Sequence, residues 1–292
     1  MSGPCSDVST LPVSPIRDLC ASRPLLVLFY PDFSLIASND LEQTYAVFRK
    51  TGISPEQPLA ELDVLLHTVG GFVDPAYQLA LLLRLLAQKV RFLVPERALS
   101  AGTLLCLSAD GIEMGHTAAL GPLDITVGIP PEVGETEQSV SLAAIDGLIE
   151  FAGTAQSRAG RDSEQLASQV IVKLIDELGA VQVGDLYRQR RLTEHYAREL
   201  MTRYMFGQPG LSPRQVRQRV KHIARVLVHE LPTHEFVVDV TMAKQLGLPA
   251  SGMSTALHDV CGDLVTALEA QVDDLCPFVS DDNRAPFVAL YT

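Results

Sequence analysis

Two segments decide the reading of this 292-residue chain: LDVLLHTVGG (Leu62–Gly71) and VRFLVPERALSAGTLLCLSADGIEMGHTAALGPLD (Val90–Asp124). Leu62–Thr68 is a continuous apolar run, the mark of a strand buried on both faces of a parallel sheet. Val90–Pro95 is a second such run, stopped by Pro95. Between them, Asp74–Gln88 is apolar nearly all round and reads as a well-buried helix. A further helix is expected over Ser100–Ala109, and GIEMG (Gly111–Gly115) reads as a short strand. Strands alternating with helices argue for an α/β fold with a parallel sheet and right-handed crossovers.

Working outward, LLVLFY (Leu25–Tyr30) is another strand and Asn39–Lys50 another helix. Ile125–Ser139 holds Gly128, Pro130, Pro131 and Gly134 and reads as a loop or flap. The pattern then turns helical over Ser141–Leu178, Val183–Phe206 and Ser212–Leu231. Ser212 is placed to cap the last of these, with Pro213 at its first position. Thr241–Leu246 is a short helix ended by Gly247. The expected organisation is a flexible N-terminus (1–22), one domain (23–275) and an irregular tail (276–292). Within the domain lie an α/β core (23–125), a helical part (141–231) and a return to the core (232–250).

Composition narrows the function classes. The chain is 47% hydrophobic and 20% charged, with net charge −12. So acidic a chain is a poor general binder of nucleic acid, which needs basic surface to neutralise phosphates. The five cysteines form no CxxC pair and no metal-ligand spacing, so reduced thiols and a cytoplasmic location are expected. No signal peptide is evident, and the longest apolar runs fall far short of the roughly 20 residues of a membrane span.

Two turns carry candidate chemistry. Val69-Gly70-Gly71 follows a buried strand directly. Paired glycines allow positive φ and close approach of another backbone, and their amides can face a developing oxyanion. A plain strand–helix turn also uses such glycines. Ser100 sits at the second turn between Leu99 and Ala101-Gly102. Small neighbours let a carbonyl approach its hydroxyl, although Ser is equally common as a helix N-cap. The two motifs, one strand–helix unit apart, favour a nucleophile facing backbone amides. A serine nucleophile needs a base. His67 lies inside a strand and reads as structural. His116 follows Gly115, and His234 occupies a loop before an extended apolar segment. Lys173 is the rival base, on an amphipathic helix. Asp124, after the Gly121-Pro122 turn, is the candidate carboxylate.

These residues resemble the Clp-protease-like superfamily, which includes the Clp proteolytic subunit, signal peptide peptidase A and the crotonases. Within it the chain is most similar to the serine dehydrogenase proteinase family. The resemblance rests on LLHTVGG (Leu65–Gly71), VPERALSAGTLLCLSAD (Val94–Asp110), MGHTAALGPLD (Met114–Asp124) and THEFVVDVTMAKQLGL (Thr233–Leu248), and it spans about residues 24–250. It departs from the family's HTPGG pattern at Val69, and Ile125 stands where many relatives have proline.

The resemblance implies a ClpP/crotonase-like fold with a helical C-terminal half. It implies a Ser, Asp, His order along the chain, whereas the Clp proteolytic subunit has Ser, His, Asp. By match, Ser100 is the nucleophile, Asp124 the orienting acid and His234 the base. Gly70 or Gly71 with Ala101 supply the oxyanion hole. The implied activity is serine peptidase on a peptide or protein substrate, in a homo-oligomer, with no metal or organic cofactor. A Ser–Lys dyad, with Lys173 as base, is the signal-peptide-peptidase-like alternative; His116 is the other candidate base. A crotonase-like acyl-CoA enzyme and a non-catalytic scaffold stand as further alternatives. The Leu81–Leu86 face and the basic Arg188–Arg203 helix are the candidate contact surfaces between copies.

Overall fold

The computed structural model describes residues 11–32, 34–129, 138–159, 168–169, 172–173, 175–176, 179–207, 210–275 and 286–292. Its centre is a six-stranded sheet. Strands β1 (Leu25–Phe29), β2 (Leu59–His67), β3 (Ala87–Val94), β5 (Gly111–Met114) and β9 (Ala250–Gly252) run parallel in that order. The connections are α2 (Ser38–Lys50) between β1 and β2 and α3 (Val73–Leu86) between β2 and β3. Between β3 and β5 lie the two-residue strand β4 (Arg97–Ala98) and α4 (Ala101–Cys106). A second short strand, β6 (Ala119–Leu120), pairs with β4 in a separate parallel ladder.

The continuous apolar strands have a simple physical cause. Side chains alternate across a strand. Leu26, Leu28, Val64, Leu66, Phe92 and Val94 enter the core cluster that holds α3 and α4. Leu25, Val27, Phe29, Leu65 and Leu93 enter a second cluster on the opposite face. Both faces are covered, so both sets must be apolar.

The second cluster also corrects the expected flexible N-terminus. Ser14–Leu19 forms helix α1, and Leu11, Val13, Ile16 and Cys20 are buried in that cluster. They pack with Leu257, Cys261, Leu264, Val265 and Leu268 of the long helix α9 (Thr255–Leu275). Residues 1–10 lie outside the described residues. The expected irregular tail is corrected as well. Phe287–Tyr291 forms β10, antiparallel to β1 with Leu25 opposite Tyr291 and Phe29 opposite Phe287. Where the sequence predicts a loop at Ile125–Ser139, the described residues form two paired antiparallel strands. They are β7 (Thr126–Ile129) and β8 (Gln138–Ser141), while residues 130–137 lie outside the described residues.

The helical part holds α5 (Leu142–Ala159), α6 (Ala180–Leu200), α7 (Pro213–Arg225) and α8 (Val240–Leu246). Single π-helical turns, Met201–Met205 and Val226–Glu230, extend α6 and α7. Caps mark the helix starts where the sequence places them. The Ser212 hydroxyl accepts the Gln215 amide, and the Gln215 side chain accepts the Ser212 amide. Asp239 accepts the Met242 amide at 2.7 Å to start α8, and Gly247, at φ 91°, ends it in the left-handed region. Of the Leu81–Leu86 face, Leu83 and Leu86 are buried, whereas Leu85 stays largely exposed. That stripe is therefore mostly core.

One buried charge is anchored inside the sheet. Asp63, 1% exposed, accepts two hydrogen bonds from the Arg91 fork, at 2.8 and 2.6 Å. Such a bidentate pair is strong, and without Arg91 the buried carboxylate of Asp63 keeps only the longer contact from Arg23 Nη1, at 3.5 Å. Arg91→Met is therefore expected to destabilise the fold by about 3–5 kcal/mol. Asp63→Leu combined with Arg91→Met should recover most of that loss. Urea unfolding of the two variants checks it: equal destabilisation of both would show that the stranded carboxylate is not the cause.

Candidate active site

The site is built where two strands end. β2 runs into Thr68-Val69-Gly70-Gly71, and β4 runs into Leu99-Ser100 before α4. Thr68 bridges the two ends: its amide donates to Arg97 O and its carbonyl accepts from the Leu99 amide, at 3.0 and 3.1 Å.

The glycines are required by close approach. Gly71 has φ 150°, and a Cβ there would fall 2.3 Å from the Ile36 nitrogen and 2.5 Å from its oxygen. Ile36 clamps the turn by donating to Gly70 O and accepting from the Phe72 amide, both at 2.9 Å. Gly70, at φ 122°, lies against Ser100, with a Cβ position 3.0 Å from that of the serine. Gly102 lets α4 sit on β2, because a Cβ there would meet the Thr68 methyl at 2.4 Å.

Ser100 occupies φ 46°, ψ −114°, a sparsely populated conformation for a residue with a side chain. Its hydroxyl makes no capping hydrogen bond to α4, so the N-cap use open at the sequence level is not the one adopted. Among the described residues, the Gly71 and Ala101 amides make no internal hydrogen bond, whereas the Gly70 amide is already donated to Thr68 Oγ1 at 3.0 Å. Of the two glycine amides expected as oxyanion donors, only that of Gly71 is free.

Asp124 reaches the site along the segment after β6. Thr103 Oγ1 accepts the Gly121 amide at 2.9 Å, and Leu123 donates to the Leu227 carbonyl at 2.8 Å. That carbonyl lies in the last, π-helical turn after α7, where backbone acceptors lack partners within the helix. Asp124 is 8% exposed. Its Oδ1 accepts from the Ile125 amide at 2.9 Å and the Ala143 amide at 3.3 Å. Burial pushes its carboxyl above the usual range, against those two amides and the nearby imidazole of His234, which act the other way.

His234 is delivered by the loop before α8, pinned where Leu120 and Val238 exchange both backbone hydrogen bonds, at 3.0 and 2.9 Å. His234 Nδ1 lies 3.8 Å from Asp124 Oδ2, and both are buried atoms without a hydrogen-bond partner. Ser100, Asp124, His234 and Gly71 line one cleft of about 630 Å³. Its remaining wall includes Leu35, Phe72 and Leu192, with Arg188 and Gln189 of α6.

The other candidate bases lie elsewhere. His116 is exposed and packs against His258, ring centroids 4.4 Å apart, beside Gly115. Lys173 is exposed, and among the described residues no lysine lines the cleft. His67 is fully buried, as its strand position predicts. Burial and then the Arg97 guanidinium push its imidazole down to about 4.

One group of metal-ligand types does come together among the described residues: His67, Glu96 and Glu269, with ligand atoms within 4.8 Å of one another. The tautomer opposes coordination. Arg97 Nε donates to His67 Nε2 at 3.1 Å, which puts the proton of the neutral ring on Nδ1, the atom facing Glu96 at 3.5 Å.

Sequence reading missed Ile36 and Thr68 as supports of the turn. Thr68 sits inside the motif and could have been found as the donor-acceptor beside paired glycines. Ile36 carries no local signal, because it acts through its backbone.

A parallel α/β core that presents a strained serine beside two free amides, with a carboxylate and an imidazole in the same cleft, has the layout of a serine hydrolase. The family model described as ClpP-like SDH-type serine proteinase matches residues 23–138, and this region is similar to that family. It is similar to two uncharacterized proteins of Methanocaldococcus jannaschii. They are 26% identical over 219 residues, 75% of this chain and 61% of that protein, and 24% identical over 224 residues, 77% and 62%. The chain thus spans about three fifths of the length of these relatives. Among solved structures it is similar to a mutant of ClpP1 from Listeria monocytogenes, at 14% identity and TM-score 0.36, covering 82% of this chain and 98% of that one. A mutant of the 1510-N membrane-bound stomatin-specific protease matches at 16% identity and TM-score 0.28, covering 46% and 63%. Among the described residues, no helix is long and apolar enough to cross a membrane.

Proposed function

We propose that the protein is a serine peptidase that cleaves peptide bonds through Ser100, His234 and Asp124. The observation that carries the reading is Ser100 held in a strained turn, its hydroxyl unused as a cap, in one cleft with a histidine and a buried carboxylate. Ser100 Oγ attacks the scissile carbonyl while His234 takes its proton, then returns it to the leaving amine. Asp124 holds His234 through Nδ1 and stabilises the charge that forms on the ring. The Gly71 and Ala101 amides receive the oxyanion. The 3.8 Å separation of Asp124 and His234 closes when substrate fills the cleft, as catalytic hydrogen bonds are often long in the free enzyme. This supports the His base over Lys173 or His116, neither of which lines the cleft. The strained serine also favours acyl transfer over crotonase-like chemistry, which needs no nucleophile there.

Hydrolysis of a fluorogenic peptide library, with Ser100→Ala as the control, tests the activity. Asp124 has to be ionised to hold His234⁺, and its carboxyl is raised by burial. Activity is therefore expected to fall as pH drops through a value above the ordinary carboxylate pKa of about 3.9. Asp124→Asn is expected to lower kcat about 10⁴-fold. A pH–rate profile in which Asp124→Asn keeps full activity would exclude Asp124 from the mechanism.

A further inference from the structure

One cation on the wall of the cleft has no part in the peptidase chemistry. Arg188 of α6 shares that wall with Gln189 and Leu192, and among the described residues it is the only Lys or Arg that lines the cleft. Its helix is anchored on both sides of it. Leu186 is buried with Ile125, Leu142 and Ile145. The Tyr187 hydroxyl donates to Asp146 Oδ1 at 2.9 Å, and Arg190 pairs with the same carboxylate. Buried Thr193 borders a small void together with Ser100 and Asp124, and its hydroxyl donates to Gln189 O at 3.0 Å. The backbone under Arg188 is therefore held in place relative to the nucleophile.

The guanidinium itself is little used. Elsewhere on α6, Arg190 is matched by Asp146, Arg198 by Glu194 and Arg203 by Glu199, which neutralises much of the basic surface expected over Arg188–Arg203. Among the described residues Arg188 pairs only with Asp185, one turn back on the same helix at 3.3 Å. The two side chains are 78% and 51% exposed. An exposed pair of that kind holds weakly and exchanges readily. The carboxylates that share the cleft are engaged by other groups. Asp124 accepts two backbone amides and faces His234, and Asp74 accepts the Tyr196 hydroxyl at 2.8 Å.

Much of the remaining lining is apolar, including Leu35, Phe72, Val73, Ile125 and Leu192. A chain lying in the cleft covers that wall and displaces water from around Arg188. Losing that water strengthens any charge pair formed there. The guanidinium fork matches a carboxylate at two points at once. The net charge of −12 opposes an anionic ligand at long range. That field is screened over about 10 Å at 0.1 M salt, whereas a contact inside the cleft is screened much less.

We propose that Arg188 is a specificity-determining residue that selects peptides bearing a carboxylate, from an acidic side chain or a free C-terminus, which displaces Asp185 to bind it. The proposal rests on the peptidase reading of the cleft and adds the class of substrate to it.

Calorimetric titration of the full-length Ser100→Ala protein tests it, because that variant binds without cleaving. The ligands are peptides of one apolar sequence with Glu, Gln or Lys placed at each position in turn, each with a free or an amidated C-terminus. Peptides with the carboxylate are expected to bind about 10-fold or more tightly than their neutral counterparts. A preference lost on amidation assigns the carboxylate to the C-terminus; one kept by amidated Glu peptides assigns it to a side chain. Adding Arg188→Gln should bring the ratio to about 1, and Arg188→Glu should turn it toward the Lys peptides. Asp185→Asn should tighten binding of the carboxylate peptides, which a purely structural Arg188 would not do. Circular dichroism checks that the variants fold. Equal affinity for charged and neutral peptides overturns the proposal, and so does a preference that survives Arg188→Gln. The peptidase reading fails by a different result. If the chain with Ser100 intact leaves uncut the peptides that Ser100→Ala selects, that reading falls and the carboxylate site stands. If it cuts peptides with no regard to their charge, the carboxylate site falls and the peptidase stands.

Discussion

Ser100→Ala is expected to abolish covalent labelling by a fluorophosphonate and to lower peptide hydrolysis by about 10⁴- to 10⁶-fold, the range lost when a member of such a catalytic unit is removed. The fold should survive. The alanine methyl replaces a hydroxyl that makes no cap, and the strained backbone is set by Gly70, Leu99 and Gly121 packing around it. His234→Ala should lose the adduct to a similar degree, because without its base the hydroxyl is a weak nucleophile at neutral pH. Lys173→Ala should label like wild type. Intact mass and peptide mapping read all three. Labelling that survives in His234→Ala and fails in Lys173→Ala would move the chemistry to a Ser–Lys pair.

Gly71→Ala carries the second large effect, and it acts through shape. The added methyl has nowhere to go: it meets the Ile36 backbone at 2.3 Å, and backbone cannot rotate aside as a side chain can. At φ 150° the alanine is strained as well. The turn must therefore open away from Ile36, carrying the Gly71 amide from the place where the oxyanion forms. Loss of one such donor costs about 10²- to 10³-fold in kcat. KM should change far less, since the donor acts on the transition state. Single-turnover acylation of a folded Gly71→Ala protein measures it, and a variant with unchanged kcat would place the oxyanion elsewhere.

The sheet was legible in the sequence because burial on both faces leaves a continuous apolar run, and three such runs at Leu25, Leu62 and Val90 are hard to read otherwise. The Ser100 turn was legible for a similar reason: only small residues fit where α4 meets β2 and the Thr68 methyl. What escaped was whatever depended on distant partners. FVALY (Phe287–Tyr291) is too short to declare itself a strand until β1 offers its free edge. The pairing of β7 with β8 was hidden in the sequence by the surrounding prolines and glycines. The amide of Gly70 could not be told from that of Gly71, because which one is free is decided by a side chain, Thr68 Oγ1, and by a backbone clamp, Ile36, more than 30 residues upstream. His234 and Asp124 are brought together by the Leu120–Val238 bridge, which joins segments with no shared local pattern.

The pairing of β10 with β1 also sets an order of events during synthesis. β1 leaves the ribosome more than 250 residues before residues 287–291, which match its outer edge. Until those five residues emerge, LLVLF presents a row of unpaired amides and carbonyls between two apolar faces, the kind of edge that recruits other strands. The nascent chain is thus exposed to mispairing along β1 until Phe287–Tyr291 emerges to cover that edge.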